Sequence, residues 1–274
     1  MIRQDEIAKR FVRLALVILT CGGFCLGSDA PGSSAASKLP GLLQRTGEQM
    51  SEYLDRFSDV RCTERVVQEK FRNGKDKIDL KEESTYDYLV MLSNTGGELN
   101  LSESRLPVHE AKADKKNRSM LVSNGFATMF LVFHPLYANS FEFNTVGEEV
   151  VNGHRLTKVA FRHIRGTRTP AALALRGREY PLELSGTAWI DPETAAIARI
   201  SAGIDNTLVD VGLNTLQTDV EFAPVPFHDP EKTYWFPSRA IVEVETPRQH
   251  WRNTHEFTNY KRFEVTTEEQ VTTK

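Results

Sequence analysis

Cysteine is scarce in this chain, and its placement limits the chemistry that the protein can perform. Only three of the 274 residues are cysteines, and two of them, Cys21 and Cys25, fall in an apolar N-terminal segment. The rest of the chain keeps Cys62 alone, so it can form no intrachain disulfide. Cys62 follows Val60 at the start of a strand-like run, and we expect it to be a small buried apolar residue instead of a reactive thiol.

Several motifs of catalysis and metal binding are missing as well. The sequence contains no Gly-x-Ser-x-Gly, no His-Glu-x-x-His and no phosphate-cradling glycine loop. His250 and His255 are five residues apart and His154 and His163 are nine apart, and odd separations on a regular strand point to opposite faces. We therefore predict a protein that is not an enzyme and that holds neither a metal ion nor a cofactor.

No charge of one sign dominates the chain. The 34 Lys and Arg residues nearly balance the 37 Asp and Glu residues, for a net charge of −3 at pH 7. This balance implies neither nucleic acid nor an anionic membrane surface as the main partner. Roughly 240 residues remain beyond the N-terminal segment, which is enough for one domain with a substantial core.

The first thirty residues have the layout of a secretory signal peptide. Basic residues precede an apolar run from Leu14 to Leu26, which is followed by small, turn-prone residues and is short for a bilayer-spanning helix. We predict a signal peptide over residues 1–30, cleaved between 27 and 38, and export to the periplasm or the medium. An uncleaved anchor is the alternative, and lipid anchoring is disfavoured because Thr20 and Phe24, which are not small, precede the two cysteines.

Periodicity predicts one amphipathic helix followed by antiparallel strands. The helix is indicated by apolar residues at three- and four-residue intervals from Leu39 to Phe57, with Pro40 in its first turn and its end near Ser58. Turn signals at 73–74 and 94–97 separate strand-like runs at 60–71, 85–93 and 98–105. Such turns between neighbouring runs predict hairpins.

The second half of the chain alternates more clearly between apolar and polar residues. Runs at 182–190 and 196–202 flank Asp191-Pro-Glu-Thr194, which predicts a hairpin. We expect the Asp191 side chain to accept hydrogen bonds from the backbone amides of the turn. Further alternating runs lie at 216–222 and 236–244, and a last strand over 251–265 is expected to bulge near Thr258 to Lys261. Strands of this kind form a sheet with one solvent-exposed face and one face that packs on the core.

The predicted fold is mainly β, of the α+β class. A curved antiparallel half-barrel sheet wraps the N-terminal amphipathic helix and an internal apolar helix at Phe126 to Phe133, which His134-Pro135 stops. We expect one domain over residues 38–266 and a flexible polar tail over residues 267–274.

This order of elements resembles the lipoprotein-carrier superfamily of bacterial envelopes, the LolA/LolB-like half-barrels. The hairpin from Gly186 to Arg199 carries much of the resemblance, and the segments Asp219 to Val225, Trp235 to Ser238 and His255 to Phe263 are similar to an exported branch with that architecture. The resemblance implies a curved sheet that leaves an apolar cavity for acyl chains or another hydrophobic ligand.

The internal apolar helix offers the first candidate ligand contacts. A soft aromatic lining for an acyl chain would come from Phe126, Met129, Phe130 and Phe133. The same side chains are equally suited to filling a core. We expect core packing for most of them and cavity lining for some.

The loop from Arg165 to Arg178 offers the second candidate. It places four arginines around the apolar residues 171–175, which suits a lid whose leucines cover a cavity mouth while its arginines meet acidic headgroups. The candidate lid residues are Arg168, Leu173, Leu175 and Arg176. The alternative is an ordinary insertion that contains one helical turn.

Together these features predict an exported, non-catalytic, monomeric protein that binds a hydrophobic or acyl-chain ligand, such as a lipid or a lipoprotein. The alternative is an envelope interaction or sensory module, which presents the same scaffold without an open cavity to a protein partner. An apolar cavity on the order of a few hundred Å³ would favour the first interpretation.

Overall fold

The structure, a computed structural model, describes residues 32–57, 60–72, 77–95, 98–108, 126–151, 153–175, 178–208, 211–227 and 233–262. The predicted signal peptide, the polar tail and Arg176 lie outside these ranges. The helices are α1 (Gly32–Phe57), a 3-10 helix (Phe126–Phe133) and α2 (Pro135–Ala138). The strands are β1 (Val60–Phe71), β2 (Ile78–Thr95), β3 (Glu98–Pro107), β4 (Phe141–Val151), β5 (His154–His163), β6 (Ala172–Leu175), β7 (Arg178–Pro181), β8 (Leu184–Ile190), β9 (Ile197–Ile204), β10 (Thr215–Pro226), β11 (Thr233–Glu245) and β12 (His250–Arg262).

Ten of these strands form one antiparallel sheet, in the order β3-β2-β1-β12-β11-β10-β9-β8-β5-β4. The sheet is open, curves around α1 and the 3-10 helix, and confirms the mainly β half-barrel. Its inner face carries the core, which includes Leu184, Ala188 and Ile190 of β8. The alternation seen in the sequence therefore marks the inner and outer faces correctly.

Charged side chains bridge neighbouring strands on the outer face. Arg65 of β1 bonds Glu83 of β2 at 2.7 Å and Glu256 of β12 at 2.8 Å, and all three are about half exposed. Arg199 of β9 bonds Asp219 of β10 at 2.6 Å. Exposed pairs of this kind contribute only about 0–1 kcal/mol each, so the sheet depends mainly on its buried face.

The predicted hairpin at residues 191–194 is confirmed. β8 pairs with β9, and the Asp191 side chain accepts the backbone N–H groups of Glu193 at 2.8 Å and Thr194 at 3.0 Å. The turn closes through Ala195, which has a left-handed φ of 59° and donates its N–H to the Asp191 carbonyl. The predicted bulge in the last strand is also confirmed, since the register of β12 against β1 shifts opposite Cys62, where Asn259 has a φ of 56°.

The two helical covers differ in detail from the prediction. Helix α1 ends at Phe57 as expected but begins at Gly32, so Pro40 lies inside it and not in its first turn. The alanines before Pro40 favour a helix, which continues through the proline although its ring removes one hydrogen bond and crowds the carbonyl one turn earlier. The apolar segment from Phe126 to Phe133 is a 3-10 helix, whose three-residue repeat places Phe130 and Phe133 on one side.

Helix α1 packs closely against the 3-10 helix at a glycine. A Cβ built on Gly47 would lie 3.1 Å from the backbone oxygen of Phe133. Near this contact, the ring of Tyr53 meets Phe130 edge-on with centroids 4.8 Å apart. The helix thus closes the inner side of the sheet through small and aromatic residues.

Candidate functional site

Helix α1 is fastened to the β8–β9 turn by three of its polar side chains. Arg45 donates to the carbonyl of Pro192 at 2.8 Å, Thr46 to that of Ala195 at 3.2 Å, and Gln49 to that of Thr194. Thr46 is fully buried. These bonds fix the helix over the inner face of the sheet and leave a cleft on each side of the contact.

The first of these, which we call the α1 cleft, has a volume of about 500 Å³. Its apolar walls are Met50, Tyr53, Phe130, Ile197, Phe222 and Trp235, and its polar members include Gln49, Glu52 and Thr194. Burial, and to a lesser extent the nearby Cys62, raises the pKa of the Tyr53 hydroxyl well above its usual value. The floor of the cleft is therefore uncharged and largely aromatic.

The second, which we call the α2 cleft, has a volume of about 610 Å³ between the first half of α1 and the start of β4. Its apolar walls include Leu43, Phe133, Pro135, Phe141 and Phe143. The rings of Phe133 and Phe143 lie 5.3 Å apart. Both clefts fall in the size range of small-molecule sites, about 300–1,000 Å³.

The structure distributes the four predicted ligand contacts unequally. Phe130 lines the α1 cleft and Phe133 the α2 cleft, with side chains that are 0 % and 2 % exposed. Met129 is buried in the core, and the Phe126 side chain lies outside the described residues. The two phenylalanines thus pack in the core and also form cleft walls, while their contact with a ligand stays a prediction.

The predicted lid is a β-hairpin, and no helical turn occurs in the described part of this loop, residues 164–175 and 178. β6 pairs with β7, Leu173 packs half-buried against the core, and the Leu175 backbone lies in β6. The Arg168 guanidinium lies over the Tyr137 ring at 5.7 Å. Neither Arg168 nor Leu173 lines the α1 or the α2 cleft, so a lid role for this hairpin stays a prediction.

A buried ion cluster on β1, β3 and β12 escaped the sequence analysis. Glu64 is fully buried; it accepts from Nε and Nη2 of Arg105 at 2.5 and 3.0 Å, and from Nδ1 of His255 at 2.8 Å. Burial alone would raise the pKa of Glu64, but the hydrogen bonds from His255 and Arg105 hold it below its usual value. The sequence signal was a carboxylate at an inward position, between Cys62 and Val66.

A third cavity, which we call the tryptophan groove, lies beside the β8–β9 turn and measures about 380 Å³. Trp189, on the face of β8 opposite Ala188, donates its indole N–H to Glu149 at 2.8 Å. The cations of Arg199 and Lys158 lie 4.7 and 5.3 Å from its ring. The groove escaped sequence analysis because its lining comes from six different strands: Glu149, Leu156, Trp189, Arg199, Glu221 and Trp235.

The described ranges also bear on metals and membranes. No three His, Cys, Asp or Glu side chains converge within them in a way that could hold a metal ion. His255 is buried beside Phe257, whereas His250 stacks on Phe71. Among the helices of the described chain, none is both long enough and apolar enough to cross a bilayer.

Comparisons with known proteins find similar structures only at low identity. No protein-family model and no curated protein matches the sequence. A DUF1329 family protein from Desulfovibrio piger is similar with a TM-score of 0.45 and 11% identity, over 84% of this chain and 95% of that one. A putative outer membrane lipoprotein-sorting protein domain from Vibrio parahaemolyticus is similar with a TM-score of 0.39 and 9% identity, over 82% of this chain and 94% of that one. The Mycobacterium tuberculosis lipoprotein LppX is similar with a TM-score of 0.25 and 10% identity, over 84% of this chain and 99% of that one. The superfamily resemblance therefore stays a prediction.

Proposed function

We propose that this protein binds a hydrophobic, acyl-chain ligand without covalent chemistry, on the inner side of its sheet. The observation that carries the proposal is the α1 cleft, an open space of about 500 Å³ with aromatic and aliphatic walls. Pockets with mostly apolar walls and a few polar groups are typical of small-molecule binding. The buried Tyr53 and Phe130 would meet the chain, while Glu52 and Gln49 stand at the polar side.

The open clefts favour this function over an interaction module with a solid core. A solid module would need α1 to close fully on the sheet, whereas the α1 cleft and the α2 cleft stay open beside the helix even though four of its apolar side chains are buried in the core. An apolar chain that entered a cleft would lose water from its whole length, at about 25 cal/mol per Å² of buried apolar surface. The ligand we propose is a lipid or the acyl chain of a lipoprotein.

Export to the bacterial periplasm is part of the proposal and rests on the N-terminal residues 1–30. The apolar run from Leu14 to Leu26 supports it. A monomeric, non-catalytic carrier in that compartment would shield acyl chains from water.

The binding test uses exposed positions, because Phe130 is fully buried and its substitution would disturb the core. Glu52→Trp would narrow the α1 cleft and Gln44→Trp the α2 cleft, since each residue lines one of them. Lys38→Trp, on the same helix and outside both linings, is the matched control. The measurement is the saturable uptake of a fluorescent long-chain fatty acid, together with the melting temperature of each variant.

We expect Glu52→Trp to weaken uptake about tenfold at an unchanged melting temperature, which is a loss of about 1.4 kcal/mol. We expect Lys38→Trp to bind as the wild type does. Loss in Gln44→Trp instead would place the chain in the α2 cleft. If the wild-type protein takes up no long-chain amphiphile, the carrier function is wrong.

A further inference from the structure

We propose, building on the function above, that the tryptophan groove receives the polar head of the same ligand, and that this head is cationic. The ligand class is then a single-chain amphiphile with a positively charged amine or quaternary ammonium group. Its chain lies in the α1 cleft, and its head passes Trp235 into the groove.

Shared walls connect the two spaces. Phe222 and Trp235 line both the α1 cleft and the tryptophan groove. The β8–β9 hairpin separates them, with Thr194 and Ile197 facing the cleft and Asp191 and Ala198 facing the groove. In this proposal a flexible chain passes beside Trp235, between the hairpin and β10, to occupy both.

The charges of the groove favour a cation. Its lining contains three carboxylates, on Glu149, Asp191 and Glu221, against the guanidinium of Arg199. Arg199 is already bonded through Nε and Nη2 to Asp219, at 3.0 and 2.6 Å. Because Asp219 outside the lining shares this charge, Arg199 offsets the three lining carboxylates only in part.

Glu149 and Glu221 differ in how far they are neutralised. Lys158 approaches Glu149 at 3.3 Å, and the hydrogen bond from Trp189 and the interaction with Lys158 lower the pKa of Glu149. Glu221 has Arg239 only at 3.9 Å, and its side chain is 48% exposed. Glu221 and Asp191 therefore keep an excess of negative charge at the groove, which attracts a cationic head and repels an anionic one.

The aromatic rings of the groove suit the same head. Trp189 shows that an indole here attracts positive charge, since two protein cations lie over its ring at 4.7 and 5.3 Å. Because these cations cover the buried ring, a ligand head would meet the other rings of the groove. Trp235 and Phe222 place two more rings at the junction with the cleft. Weakly hydrated ammonium groups are the cations that such rings bind best.

The test compares three ligands that share a ten-carbon chain and differ only in the head: decyltrimethylammonium, decanoate and decanol. Affinities are measured below the micelle concentration by displacement of the fluorescent fatty acid and by tryptophan fluorescence. We expect decyltrimethylammonium to bind at least about tenfold more tightly than decanoate, with decanol between them. We expect Glu221→Gln to reduce that preference several-fold without changing the affinity for decanol. Glu245→Gln, an exposed carboxylate on β11 outside the groove, should leave the preference intact.

Equal or tighter binding of decanoate, or a preference that Glu221→Gln leaves unchanged, would overturn the assignment of the head while the proposed function stands. If tetramethylammonium alone binds as tightly as decyltrimethylammonium, the groove is a site for a free cation and its link to the cleft is wrong. If none of the three decyl ligands binds, the proposed function fails together with this inference.

Discussion

Glu64 is a fully buried carboxylate whose charge is balanced by only a few neighbours. Arg105 and His255 both bond its oxygens, and Arg105 also meets Glu103 at 3.1 Å and the Tyr88 ring at 5.1 Å. Removing one member of such a cluster leaves a buried charge without its partner, which is more damaging than losing an exposed pair. The cluster joins β1 to its neighbour β12 and, across β2, to β3.

We expect Glu64→Gln to lower the free energy of unfolding by about 3–5 kcal/mol, because the largely buried Arg105 and the buried His255 lose the carboxylate they share, although Glu103 still faces Arg105. Glu83→Gln is the control, since it breaks an exposed pair with Arg65 and should cost about 1 kcal/mol or less. Denaturant unfolding of both variants measures the difference. Equal losses would mean that the buried cluster contributes no more than a surface pair.

The same residue gives the protein a predictable acid sensitivity. The pKa of Glu64 is lower in the folded protein than in the unfolded chain, where a free glutamate titrates near about 4.3. The unfolded state therefore binds more protons between these values, and the stability from Glu64 is fully present above the unfolded pKa and lost as the pH falls through the folded pKa. Urea midpoints from pH 6 to 3 should fall less steeply for Glu64→Gln than for the wild type. Parallel curves would contradict this.

Cys62 is expected to be inert in the folded protein. It is 2% exposed, as the sequence predicts, and burial raises the pKa of its thiol to about 12, with Glu64 and Asp87 acting in the same direction against a hydrogen bond from Tyr260. Iodoacetamide should label the Cys62 peptide only after denaturation, when the thiolate forms and becomes accessible. Peptide mapping by mass spectrometry separates this thiol from Cys21 and Cys25. Labelling of Cys62 in the native protein would show that this edge of the core opens.

At the scale of elements, replacing either of two glycines of α1 with alanine should affect stability differently. A Cβ on Gly41 would meet nothing within 4 Å, whereas a Cβ on Gly47 would lie 3.1 Å from the Phe133 carbonyl of the 3-10 helix. We expect Gly41→Ala to stabilise the protein by about 0.5–1 kcal/mol through lower backbone entropy. Gly47→Ala should lose that gain because the two helices must move apart. Thermal unfolding of the two variants measures the difference. An equal gain in stability in both would mean that the contact between the helices adjusts to the added methyl group.

The elements that sequence predicts well are those fixed by local chemistry. The β8–β9 hairpin follows from Pro192 and from the Asp191 side chain that accepts two turn amides. The bulge in β12 follows from a slip in the apolar pattern near Asn259. Each depends on neighbours within a few residues, so the information is present in a short window of sequence.

The elements that sequence misses depend on distant partners. The Glu64 cluster joins residues 41 and 191 positions apart, and the tryptophan groove collects side chains from six strands. The loop around Leu173 folds as a β-hairpin, although its alanines and leucines are compatible with a helical turn. The cleft residues Phe130 and Phe133 were predicted from their apolar segment, but its 3-10 geometry and the division between two clefts depend on how α1 packs.

On the scale of the whole molecule, the proposed export would decide which residues the mature chain contains. We expect protein recovered from its native envelope to begin between residues 27 and 38, because the small residues there suit signal cleavage. N-terminal sequencing measures this directly. Since α1 begins at Gly32, cleavage late in the window would shorten the helix without touching the residues of the α1 cleft. Mature chains that retain Leu14 to Leu26 would support a membrane anchor.

The hydrogen bonds between α1 and the β8–β9 turn constrain the sequences of these two elements differently. The donors are the side chains of Arg45, Thr46 and Gln49, whereas the acceptors are backbone carbonyls. Every residue type has a backbone carbonyl, so the side chains at positions such as Glu193 and Thr194 can change while the helix keeps its position. Substitutions at such positions are therefore silent for α1, whereas substitutions in the three helix residues, or in Asp191 and Pro192, which shape the turn, are not.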